Sequence, residues 1–337
     1  MNIFKLIKIS VFALIICSLA NCQVSDKIKE LTDKPSRKPL DRSLIGVNNF
    51  FVESGFGSIN TQYRDIKSNL KIPYVRVLLA WTDAVQPSPG ASPNYSFFDS
   101  ILNQVPAGVD ILPVVVHTPN WMNNPANWID ANPRKTWVER WLKPTVQRYA
   151  SNNKIVGWEV WNEPDLTVVA SDTALGLTDP AKYLELLQFS RDAIKAADPG
   201  TQIVIAATQS IQQNYPDHLN YNRTLRDLGA RNLVDVWNIH YYGEQFEKVS
   251  ASGDIADFLN SLNMPIWVTE SGQQGPNNQL AYAETTWPFL KDKIPNISRI
   301  YYYIYASSFS PVEQNYGLRT SNSSLPVSDL YVHLRDN

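Results

Sequence analysis

The stretch Trp158-Glu159-Val160-Trp161-Asn162-Glu163-Pro164 reads as a β-strand that runs out into a carboxylate beside an amide. A second apolar run, Ile266-Trp267-Val268-Thr269, ends the same way, in Glu270. Outward from these two, short β-rich runs alternate with amphipathic helical stretches. The runs are residues 44–50, 74–80, 111–117, 155–162, 202–207, 236–241, 265–270 and 299–305. Helical periodicity is clearest over 136–151, 180–197 and 280–293, and 323–334 closes the chain as a last helix. Eight such runs separated by helices imply parallel strands joined by crossovers. Eight is also the strand count of a closed (β/α)8 (TIM) barrel. A doubly wound open sheet is the alternative, but no Gly-x-Gly-x-x-Gly follows the first run. Neither an internal repeat nor a linker interrupts 44–337, so this segment reads as one α/β domain.

At 337 residues with 44% hydrophobic content, the chain has ample material for a large core. The formal net charge is −2, and no block of Lys or Arg interrupts the body of the chain. That argues against nucleic acid as a partner, because phosphate binding needs a basic face. The N-terminus reads as a targeting segment. Lys5 and Lys8 precede an apolar stretch over 9–20 that is too short to span a bilayer. It ends in Leu19-Ala20-Asn21-Cys22, which resembles the lipobox of bacterial lipoproteins. The expected division is a signal peptide over 1–21, a lipidated tether over 22–43 beginning at Cys22, and the barrel over 44–337. An exported protein held on a membrane of the cell envelope follows from this. An ordinary secretory signal is the other reading. Cys17 lies within the signal, so apart from Cys22 the domain has no thiol for a disulfide or a thiolate metal site.

Barrel enzymes do their chemistry at the C-terminal ends of the strands. The second run carries Arg76 and is followed by Trp81. The third ends in His117, the fourth in Asn162-Glu163, the sixth in His240-Tyr241-Tyr242 and the seventh in Glu270. The eighth carries Tyr303 and Tyr305. Two carboxylates facing each other across such a mouth are the equipment of glycosidic bond cleavage. Aromatic side chains stack on sugar rings, although most aromatics in any protein are core. Trp137 and Trp141, at i and i+4 on a helix, read as core packing, and His218 and His333 read as surface residues. Strand alternation places Glu159 on the face of Glu163, so Arg76 has a second use as the partner of a buried Glu159.

This set resembles clan A of the glycoside hydrolases, whose carboxylates follow strands four and seven. The resemblance rests on Trp161-Asn162-Glu163-Pro164, on His240-x-Tyr242 and on Glu270 after Trp267-Val268-Thr269. Tyr183, Ile194-Lys195-Ala196 and Asp198-Pro199 are similar to family thirty-nine, whereas His117 with His240 and Tyr242 is closer to family five. The resemblance implies that Glu163 is the acid/base and Glu270 the nucleophile of a retaining enzyme acting on a β-linked carbohydrate. Arg76 and Tyr242 are expected to bind substrate beside Glu270 and to keep that acid ionised. Asn162 is expected to bond a sugar 2-hydroxyl, with His117 and His240 positioning hydroxyls or the acid. Trp81, Tyr303 or Tyr305 is expected to floor the sugar subsite. No cofactor is implied. Four histidines without a His-x-x-x-His pair offer no metal motif, and there is no Gly-x-Ser-x-Gly elbow for a serine nucleophile. A sugar-binding barrel without catalysis and a transglycosylase are the alternatives.

Overall fold

The computed structural model describes residues 34–51, 55–167, 169–251, 253–306, 315–320 and 326–337. Eight parallel strands form one sheet: β1 (Ile45–Asn48), β2 (Tyr74–Ala80), β3 (Asp110–Val116), β4 (Gly157–Val160), β5 (Gln202–Ile205), β6 (Trp237–Tyr242), β7 (Ile266–Gly272) and β8 (Ile297–Tyr302). Their order is β5-β4-β3-β2-β1-β8-β7-β6, and a parallel bridge between Val204 and Val236 joins the two ends into a barrel. Each strand falls within, or within two residues of, an apolar run of the sequence.

Two apolar compartments result. The larger lies between strands and helices and includes Val77, Val115, Trp141, Leu187 and Ile239. The smaller gathers Leu112, Val204, Val236, Trp267 and Tyr301, with Tyr74 packed against it, and fills the barrel interior. Gly46 makes room for this plug, since a Cβ there would stand 2.4 Å from the Tyr301 ring. The Arg299 guanidinium sits 4.2 Å from the Tyr74 ring and 4.1 Å from that of Trp267. A planar, weakly hydrated cation suits such an aromatic sandwich.

The expected helix over 136–151 is an unbroken helical run of Pro133–Trp137, Val138–Leu142 and Lys143–Tyr149, π-helical in its middle segment. Pro144 has no N–H to give to the turn before it, so the helix widens there. The helix over 180–197 matches Pro180–Ala197, with Asp179 accepting from Ala181 N at its start. The last helix is shorter than the sequence suggests. It spans Asp329–Asp336, starting where Ser328 caps Tyr331 N just after Pro326.

The signal segment and Cys22 lie outside the described residues. The stretch expected as tether is docked on the barrel from Lys34 onward. Lys34 pairs with Glu244 at 2.8 Å, Arg37 Nε donates to Glu284 at 2.6 Å, and Arg42 donates to the carbonyls of Leu70 and Leu334. Any free tether therefore ends before residue 34 and not at 43.

Candidate active site

Strand alternation sends Arg76, in the middle of β2, into the barrel above the apolar plug. It meets Asn48 of β1, its register neighbour, and Glu159 of β4. Beyond β4 the backbone leaves the extended region, with positive φ at Trp161 (76°) and Glu163 (45°). Such conformations cost of order 1–3 kcal/mol each and persist only when the surroundings enforce them. Here Trp161 N donates to Val115 O and Glu163 N to Ala207 O, both at 2.9 Å. The Tyr183 hydroxyl joins the strand ends beneath them, donating to Val160 O and accepting from Ala206 N. The carboxylate of Glu163 is thereby held at the mouth by neighbours on both sides.

Glu270 reaches the mouth differently. On β7, Trp267 belongs to the interior plug, so strict alternation would send Glu270 outward. The register with β6 shifts between Ile239 and His240: Ile239 faces Val268, but His240 faces Glu270. Thr269 is the extra residue of a bulge, and bulges re-aim the side chains that follow them. Glu270 consequently points in, and Ser271 points out to the hydroxyl of Tyr282 and the indole of Trp287.

The two carboxylates and His240 converge, with one oxygen of each acid and an imidazole nitrogen mutually within 4.8 Å. Arg76 Nη1 donates to Glu270 Oε1 at 2.6 Å, and the Tyr242 hydroxyl donates to Oε2 at 2.8 Å. Burial raises the pKa of Glu270. His240, Arg76 and the hydrogen bonds from Tyr242 and Arg76 outweigh it and hold the acid below its ordinary value. His240 is fully buried, with Nδ1 3.0 Å from Glu163 Oε1 and 3.6 Å from Glu270 Oε2. Burial pulls its pKa down, but the charges of Glu270 and Glu163 and the bond to Glu163 prevail and raise it. Glu270 is thus equipped to stay ionised, and His240, bonded to Glu163, is equipped to hold its own proton.

Three of the expected substrate contacts need revision. Arg76 reads from the sequence as a substrate contact, but its five N–H donors are all engaged. They serve Glu159 twice and Asn48, Glu270 and Asn162 once each, at 2.6–2.8 Å. With 2% exposure it organises the site without touching the sugar. The rival reading, an ion pair with Glu159, holds at the same time. Trp81 is not a sugar floor. It is one residue past the inward set 76, 78, 80, faces the helices, and stacks on Trp141 at 6.1 Å with no exposure. Tyr305 is also buried, its hydroxyl donating to Asp65 outside the barrel. Beyond the end of β8 the period of two no longer operates. His240 is too buried to meet a hydroxyl directly, which leaves it the second of its expected duties, positioning the acid.

The remaining candidates line the mouth. Asn162 accepts from Arg76 through Oδ1, so its amide nitrogen is the end left for a ligand. His117 is partly exposed and bonded to Asp172. Tyr303 packs edge-on against Tyr242 at 6.1 Å and Tyr316 at 6.0 Å. Trp137 and Trp141 are core, as their spacing implies. His218 is not a surface residue: it is 6% exposed, with Nδ1 on Ser210 O and Nε2 3.5 Å from Asp165. Asn48, Asn238, Asp172 and Tyr316 escape sequence reasoning. Asn48 and Asn238 are polar residues at inward positions of their runs, a signal that was available. Asp172 and Tyr316 lie outside the strands, where no period announces them.

Comparison with known proteins agrees with this geometry. The model of the family described as Cellulase (glycosyl hydrolase family 5) matches residues 34–308. A mannan endo-1,4-beta-mannosidase A of Aspergillus aculeatus is 25% identical over 181 residues, which is 51% of this chain and 45% of that protein. The match thus spans less than half of that relative. Among solved structures, a family 39 glycoside hydrolase from the gut symbiont Bacteroides cellulosilyticus WH2 superposes with a TM-score of 0.64 at 18% identity, over 88% of this chain and 64% of that one. An endo-1,4-beta-mannanase from Rhizomucor miehei gives 0.55 at 16% identity, over 91% and 99%. These two likenesses speak to the barrel fold alone. The family match covers barrel and site together, and on it the chain belongs to glycosyl hydrolase family 5.

Proposed function

We propose that this protein is a retaining β-glycosidase in which Glu270 attacks the anomeric carbon and Glu163 serves as acid and then base. The observation that carries the proposal is the approach of the two carboxylates. Retention needs carboxyl groups about 5–5.5 Å apart, whereas inversion needs roughly 6.5–9.5 Å to admit a water. Oxygens within 4.8 Å fit the shorter class. The asymmetry around them supports the division of roles, because Arg76 and Tyr242 grip Glu270 and not Glu163. The first product is expected to keep the substrate's β configuration. Proton NMR of the anomeric region, read before mutarotation, checks this, and an initial α product would reject the mechanism. The names of the relatives and of the family make β-1,4-mannan the first polymer to test, followed by cellulose. A sugar-binding barrel would show affinity without turnover on any of them. A transglycosylase would give longer products at high sugar concentration.

We also infer that the protein works at a membrane surface, anchored through Cys22. The support is the signal-like segment ahead of Cys22 and the polar, charged stretch that follows it. Cys22→Ser is expected to move the protein from the membrane fraction to the soluble fraction. A wild-type N-terminus without lipid mass would remove the anchor from the proposal.

A further inference from the structure

We propose that Asp172 is a positioning residue that fixes the tautomer of His117 and so decides which nitrogen this histidine offers to the sugar. The inference rests on the glycosidase reading and goes one residue beyond it. Asp172 lies in the short helical turn Ala170–Leu175, within the loop that follows Glu163, and is 7% exposed. Its two oxygens are both directed at the end of β3. Oδ2 is 2.8 Å from His117 Nδ1, and Oδ1 accepts from the Thr118 hydroxyl at 3.0 Å. The neighbouring Ser171 hydroxyl donates to Thr118 O at 2.6 Å, so two successive residues of the loop clamp the same turn. From the other side the Trp137 indole donates to His117 O. His117 itself has φ of 66°, which takes it out of the strand alternation.

An ionised carboxylate only accepts. Nδ1 of His117 must therefore carry a proton, and in the neutral ring Nε2 is left with its lone pair. The ring lies edge-on to Trp161 at 6.3 Å, immediately before Asn162 and Glu163. A ligand in the mouth thus meets a hydrogen-bond acceptor at His117 Nε2 where the other tautomer would present a donor. A sugar hydroxyl pointing there must donate. Since Asp172 rides on the loop after β4, the same segment that carries the acid/base also sets the polarity of the β3 histidine.

Nitrogen-15 NMR of the imidazoles, with only four histidines to resolve, reads the tautomer directly. Loss of one signal set in His117→Ala assigns it. Wild-type His117 is expected to show the Nδ1–H pattern, and Asp172→Ala to move it toward Nε2–H. Asp172→Asn keeps an acceptor oxygen and should retain the wild-type pattern. In kinetics, Asp172→Ala should lower kcat/KM by roughly ten- to a hundredfold, the scale of a misplaced contact group. Asp172→Asn should recover most of that loss. His117→Ala with and without Asp172→Ala should then be nearly equally active, because the acid reaches the sugar through the histidine and its bond to the Thr118 hydroxyl steadies the same turn. An Nε2–H pattern in the wild type, or losses that multiply in the double variant, would overturn the proposal. If Asp172→Ala does not fold, the wild-type spectrum decides alone. Absence of turnover in the wild type on every glycoside would count against the glycosidase reading, while the tautomer measurement would still judge the pairing.

Discussion

Glu270→Ala is expected to lower turnover by about 10⁴-fold or more, whatever the leaving group, because in the proposed mechanism Glu270 is the group that attacks the anomeric carbon. The cavity left by the side chain admits a small anion. Azide should therefore restore part of the rate and give a glycosyl azide of inverted configuration. Glu163→Ala should behave differently. Aryl glycosides with very acidic phenols leave without protonation, so formation of the glycosyl-enzyme should be nearly unimpaired for them. Its hydrolysis, deprived of the base, should become slow, and azide should accelerate it with retention. Product configuration in the two variants therefore assigns the roles independently of rates. Opposite outcomes would exchange the two acids, and unchanged activity in both would remove them from the mechanism.

Arg76→Met should be the most destabilising single change at the site. It removes one buried cation and leaves two buried carboxylates, Glu159 and Glu270, without it. Breaking a buried pair from one side costs about 3–5 kcal/mol. The pH dependence carries the sharper signature. In the wild type the pKa of Glu270 is depressed, so its contribution to stability is present above the unfolded carboxylate range and is lost as pH falls through the folded value. Without Arg76, His240 and the Tyr242 bond still favour the charged form, but burial is opposed by less and the pKa rises. The variant should then lose less stability than the wild type as pH falls through the carboxylate range. The gap between the two thermal unfolding midpoints should narrow from pH 8 to pH 4. A gap that stays constant would mean that Arg76 is not a group that holds Glu270 ionised. Activity should fall by about a hundredfold or more, since a nucleophile must be both charged and placed.

Much of this was legible in the sequence because a barrel strand writes its inward face at every second residue. Arg76, Glu159 and His240 obey that period, and the structure finds all three inside. The same rule, applied one residue further, would have excluded Trp81, whose odd position turns it to the helices. Legibility ended where the period did. Glu163 lies just beyond the left-handed Trp161 and is itself left-handed, Tyr305 lies past the last ladder bond of β8, and Asp172 belongs to a helical turn with no apolar rhythm. His218 misled because a polar residue in a helix usually faces water, and here it closes against Ser210 and Asp165. Network partners of this kind become visible only once distant segments are folded together.

The bulge at Thr269 means that β7 keeps two separate accounts of the same chain. Before it, odd-numbered residues face the plug; after it, even-numbered residues face the mouth. The inward address of Glu270 is therefore set by a backbone bulge and not by strict alternation from Trp267. A barrel that copied the run Trp267 to Ser271 as a regular, unbulged strand would turn the Ser271 hydroxyl to the mouth and press Glu270 into the helical layer. For anyone moving this chemistry to another scaffold, Thr269 is as much a part of the inheritance as Glu270, although its own side chain takes no part in the reaction.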